Sequence, residues 1–210
     1  MSVLFTTITK DAVLLCADKL AANRYTGEAQ KMPVNKIERW SPTLAIGSVG
    51  TMNLCRILVS SVHSYVKDGG FESFSLEEIT DAFAQCYYAA YETVLDMPVD
   101  ARAEIIVAGR RPNGKLAVAQ IMVSNNEADV EVYEANESTK TLICAPADMT
   151  HDECYFKAVG SVNKKSVGQA AYMEAVHRQA VKYVAEKSAF VGPQSDCVMI
   201  EANIRKKKQR

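Results

Sequence analysis

The chain has 210 residues, 48% of them hydrophobic and 23% charged, with a formal net charge of −1. That length suits one sizeable core, and so small a net charge marks neither a nucleic-acid nor a membrane surface. The apolar runs fall well short of the roughly 20 residues that a bilayer span needs.

No basic region with a long apolar core follows Met1-Ser2, so a cytoplasmic protein is expected. The cysteines, at positions 16, 55, 86, 144, 154 and 197, form no Cys-x-x-Cys pair. In that compartment they are expected to be reduced, most of them acting as small buried apolar residues. His63, His151 and His177 have no ligand spacing, so neither a metal nor a cofactor is expected.

Taken in order, the first elements are two β-branched or aliphatic runs at 3–9 and 13–17, folded back at Lys10-Asp11. With that pair as a two-residue loop, residues whose numbers sum to about 21 face each other. Asp18 then lies opposite Val3, with Ser2 about one residue further along the strand. Residues 22–34 are polar and carry no period, as in a loop or irregular strand. A short apolar run at 43–49 predicts a buried strand. Gly47 and Gly50 bracket its end, where backbone can approach something closely.

Thr51 is the expected N-cap of a helix carrying Leu54, Ile57, Leu58, Ser61, Val62 and Tyr65, which Gly69-Gly70 ends. Ser75-Leu76-Glu77-Glu78 has the capping-box pattern and opens a second helix, with Ile79, Phe83, Cys86, Tyr87, Ala90 and Val94 on its buried face. Runs at 104–110 and 115–123 form a hairpin through Asn113-Gly114. Weaker strands are expected at 130–134 and 141–145. Residues 155–160 lead to a glycine, and 167–187 read as one long amphipathic helix with Met173, Val176, Ala180 and Val184 in line. Gly192-Pro193 breaks that helix before a last strand at 197–202. Residues 205–210 are a basic tail expected to be solvated, which leaves 1–204 as a single domain. Helices come in blocks and do not alternate with strands, so antiparallel sheets covered by helices are expected.

A hydroxyl at Ser2, beside an acid and a terminal amine, is the layout of an N-terminal nucleophile. An alcohol needs an adjacent base, and excision of Met1 before the small Ser2 would expose an α-amine, with a pKa of about 7.7–8.0, that supplies one from the same residue. Each residue also has a plain reading. Ser2 can be a frayed terminus, Asp18 a strand end, and Gly50 a tight strand-to-helix turn.

Four blocks together resemble the proteasome β-subunit superfamily and its smaller bacterial and phage relatives. They are Lys10-Asp11-Ala12 leading to Asp18, the Lys36-Ile37 pair, Ser48-Val49-Gly50-Thr51, and the C-terminal landmarks Gly160-Ser161 and 195–200. Asp18 follows Ser2 by 16 positions, as the acid follows the nucleophile in that family. The resemblance implies an α+β fold, a four-layer αββα sandwich of two antiparallel sheets flanked by helices, the N-terminal nucleophile hydrolase fold. It implies a threonine/serine-type endopeptidase acting on peptides or unfolded proteins inside a homo-oligomeric ring, with an ATPase partner left open. It also assigns roles. Lys36 sits beside the Ser2 hydroxyl, Asp18 holds that lysine charged, the Gly50 N–H faces the oxyanion, and Ser161 supports the terminal amine.

Thr6 is the rival nucleophile. Thr6-Thr7-Ile8 imitates the start of many active members, and Asp18 follows Thr6 by 12 positions. That register needs a turn centred on Asp11-Ala12 and cleavage after Phe5. The chain also departs from the family where an acid is expected before the last strand, since Ser188 stands there. Two other readings therefore stay open: a non-catalytic structural or assembly subunit of the same fold, and a small-amide hydrolase. No membrane or nucleic-acid partner is expected.

Overall fold

The computed structural model describes residues 2–22, 28, 33–93, 101–111, 113–124, 127–136, 139–146, 148–151, 153–154 and 169–202. Ser161, the stretch 155–160, Val94 and the basic tail lie outside the described residues. Within them the protein is α+β, with two antiparallel sheets and three helices. The first sheet holds β1 (Leu4–Ile8), β2 (Ala12–Asp18), β8 (Lys140–Cys144) and β9 (Ser195–Glu201) in the order β8-β1-β2-β9. The second runs β3-β4-β5-β6-β7 and is made of β3 (Ile37–Ser41), β4 (Leu44–Gly50), β5 (Arg102–Arg110), β6 (Leu116–Ser124) and β7 (Glu127–Glu134). The helices are α1 (Met52–Gly69), α2 (Leu76–Thr93) and α3 (Gln169–Lys187).

Local chemistry accounts for most boundaries. At the second helix the box forms as expected: Ser75 N–H donates to Glu78 Oε2 at 2.7 Å, and Glu78 N–H to Ser75 Oγ at 3.2 Å. Gly114 takes φ +82° in the β5–β6 turn, a conformation that suits glycine. Thr51 precedes α1 in extended backbone but makes no side-chain cap; its Oγ1 accepts instead from the Arg102 N–H at 3.2 Å. β7 is longer than its sequence suggested. Its side chains are mostly exposed, so little apolar alternation marks it.

Alternation along the strands sorts the core into three clusters. Ile46, Ile105, Val107, Ala119 and Ile121 of the second sheet pack with Leu54, Leu58, Ile79 and Phe83 of α1 and α2. Leu4, Ile8, Val13, Leu15 and Ala17 of the first sheet pack with Ala45, Val49, Ile106 and Val118 of the second. On the opposite side of β1 and β2, Val3, Phe5 and Cys16 meet Ala180, Val181 and Val184 of α3. Gly47 lies where the first sheet's side chains press on the second, since a Cβ there would stand 2.8 Å from Leu4 Cδ2 and 3.2 Å from Leu15 Cδ2.

One expectation is corrected. Cys16 and Cys197 face each other across β2 and β9 and are joined in a disulfide, so the six thiols are not all free. The pair is 181 residues apart in the chain, and only the β2–β9 pairing brings it together.

Candidate functional site

The hairpin forms in the first of the two registers. Leu4 pairs with Ala17, Thr6 with Leu15 and Ile8 with Val13, and Thr9 N–H donates to Ala12 O at 2.9 Å, so the turn is Lys10-Asp11. Thr9 holds it, its Oγ1 accepting from the Asp11 and Ala12 amides. The Val3–Asp18 pairing follows, with Asp18 N–H donating to Val3 O at 3.3 Å. Ser2, buried at 8% exposure, therefore lies at the open end of the hairpin beside the acid.

Asp18 is closed off from solvent and its carboxylate takes four donors. Oδ1 accepts from Val3 N–H at 3.0 Å and from Lys36 Nζ at 2.7 Å. Oδ2 accepts from Leu20 N–H at 3.0 Å and Gly192 N–H at 3.2 Å. Four donors from four parts of the chain meet the price of burying this charge. Lys36 arrives from the residue before β3, where its carbonyl accepts from Ser48 N–H at 2.8 Å and ties it to β4. Its ammonium also donates to Leu20 O. Two of its three N–H donors are thus placed, and no described residue takes the third.

Burial pulls the Lys36 ammonium below the ordinary lysine range, against the opposing pull of the Asp18 charge and hydrogen bond. The buried pair therefore holds a lysine that gives up its proton more readily than a surface one. Cys55 in the first turn of α1 lies within electrostatic reach of Lys36, and burial pushes its thiol up to about 12, so it is a poor nucleophile.

Gly50 ends β4 two residues beyond Ser48, at φ +129°, and a Cβ there would stand 2.3 Å from Arg102 O. Packing alone thus demands glycine at this turn. Thr6 is in the middle of β1, three positions along from the level of Asp18, roughly 10 Å at strand rise. It is 1% exposed, and its Oγ1 has no hydrogen-bond partner among the described residues. The turn centred on Asp11-Ala12 that its register requires does not form.

Ser188, standing where the resemblance expects an acid, is 3% exposed, and its hydroxyl donates to Asp148 Oδ1 at 3.1 Å. An acid is present, but one hydrogen bond further out and from the turn after β8. The roles of Leu20, Gly192 and Asp148 carry no local signal in the sequence; they depend on which loops meet at Asp18. Ser161 lies outside the described residues. The described residues contain no cluster of three or more metal-ligating side chains, and none of their helices is long and apolar enough to cross a membrane.

The sequence matches no protein-family model and no curated protein.

Proposed function

We propose that this chain is an N-terminal-nucleophile peptidase of proteasome type, with Ser2 as nucleophile. On this reading the two sheets and three helices are a four-layer αββα sandwich, and the protein works as a homo-oligomeric ring on peptide or unfolded-protein substrates. The observation that carries it is the buried Lys36–Asp18 pair at the open end of the hairpin, one residue from Ser2, with one ammonium N–H that no described residue takes. Thr6 recedes as a nucleophile because it is mid-strand, in apolar surroundings.

The chemistry follows from these groups. Once Met1 is excised the Ser2 nitrogen is the terminal amine, and the Ser2 oxygen bonds to the scissile carbonyl carbon while its proton passes to that amine in its neutral form. The tetrahedral oxyanion is stabilised by the Gly50 N–H, an interaction whose loss in comparable sites costs about 2.7–4 kcal/mol. The C–N bond breaks, and the departing amine takes the proton from the terminal ammonium, leaving an ester on Ser2. Water, deprotonated by the same amine, attacks that ester and releases the acid and free Ser2. Lys36 stabilises negative charge on the Ser2 oxygen, and Asp18 orients it.

Intact-mass measurement of the purified protein before and after a β-lactone probe tests this. A single adduct that disappears in Ser2→Ala is expected. Retained Met1 with no adduct would end the proposal.

A non-catalytic ring subunit is the second reading. It is favoured by the saturation of Asp18 with four donors and by the packing demand at Gly50, since both residues are then explained without chemistry. It requires that Ser2→Ala match the wild type in every functional assay.

A further inference from the structure

Three of the four donors to Asp18 come from the first 36 residues of the chain. The fourth, the Gly192 N–H, comes from the far end, 174 positions away, and must be delivered there by something else. Gly192 follows α3 by a short segment that starts at Ser188. Ser188 N–H closes the helix on Val184 O at 2.8 Å, and its Oγ accepts from Phe190 N–H at 3.2 Å while donating to Asp148 Oδ1 at 3.1 Å. One buried hydroxyl thus folds the segment and ties it to the turn after β8. Val191 is then buried in the same apolar cluster as Val3. The next residue lies against Leu20, so closely that a Cβ on Gly192 would be 2.9 Å from Leu20 Cβ.

From this geometry we infer that Asp148 is a positioning residue for the Asp18–Lys36 pair, acting through Ser188 and the 188–192 segment to aim the Gly192 amide at Asp18 Oδ2. Asp148 touches neither Asp18 nor Lys36. Its carboxylate sets where the Ser188 hydroxyl points, the hydroxyl sets the Phe190 turn, and the turn sets Gly192. The inference rests on the peptidase reading for its consequence in catalysis, but the positioning itself does not.

Site-resolved amide hydrogen exchange on the full-length protein tests the positioning directly. In Asp148→Ala and Ser188→Ala, exchange at Gly192 and Phe190 is expected to quicken at least tenfold, with strand amides of β5 and β6 unchanged. Asp148→Asn keeps an oxygen that accepts from Ser188 and is expected to restore wild-type exchange. Rates of β-lactone adduct formation are expected to follow the same order, with the maximal rate falling several-fold and the half-saturating probe concentration unmoved. Unchanged Gly192 exchange in both alanine variants would overturn the inference whether or not the wild type reacts. Equal quickening in Asp148→Asn would overturn the role of the Asp148–Ser188 hydrogen bond. A wild type that forms no adduct while the exchange order holds would remove the peptidase reading and leave the positioning intact.

Discussion

Lys36 Nζ lies 2.7 Å from Asp18 Oδ1, with both side chains almost wholly withdrawn from solvent. The two partners are not equally dispensable. Removing Asp18 leaves a buried ammonium with no counter-charge and three backbone N–H groups without their acceptor, whereas removing Lys36 leaves a carboxylate with three amide donors. Asp18→Ala is expected to cost about 3–5 kcal/mol, and Lys36→Met about 1–3 kcal/mol. Urea melts of the two variants give the order, and a costlier Lys36→Met would refute it. Asp18→Asn is expected to move the Lys36 pKa further down, because the charge and charge-assisted bond that raise it are lost.

Two glycines of β4 separate backbone strain from side-chain crowding. Gly50→Ala sets a Cβ against the Arg102 carbonyl at a positive φ, and neither can give. It is expected to cost more than about 3 kcal/mol or to abolish folding. Gly47→Ala meets only the tips of Leu4 and Leu15, which can shift. About 1–3 kcal/mol is expected there. Thermal melts that rank the two the other way would contradict this account.

His177 is one source of acid sensitivity. His177 is fully buried beneath the first sheet, with Nε2 2.8 Å from Thr7 Oγ1, and burial lowers it to about 3. An unfolded histidine titrates near 6.5, so below that pH the unfolded chain binds a proton the folded one refuses. Its contribution is therefore whole above pH of about 6.5 and is lost at about 1.4 kcal/mol per unit as the pH falls toward about 3. Between pH 7 and 5 this group should remove about 2 kcal/mol from the wild type and nothing from His177→Gln. Equal losses in both proteins would exclude His177 as the source.

The Cys16–Cys197 disulfide predicts a thiol count. Titration of the denatured, unreduced protein should find four thiols, those of Cys55, Cys86, Cys144 and Cys154. Six would mean that the bond is absent in solution. Reduction is expected to lower the melting temperature, because opening a closure of 181 residues frees the unfolded chain by an entropy worth about 5 kcal/mol.

Much of the frame was legible in the sequence, because it rests on short-range rules. Two apolar runs meeting at Lys10-Asp11 as a two-residue loop determined the hairpin register. Capping-box chemistry at Ser75 started α2, and Asn113-Gly114 placed the β5–β6 turn. The hairpin register in turn puts Asp18 level with Val3 and next to Ser2, since strand pairing has a fixed rise and period. What only the tertiary structure decided is everything that depends on contacts between distant segments. Strand order brought Cys197 against Cys16, and the segment after α3 brought the Gly192 amide to Asp18. The turn after β8 brought Asp148 to Ser188. No local propensity encodes such meetings. They follow from which apolar faces must be buried together, and the polar groups carried along with those faces then find one another.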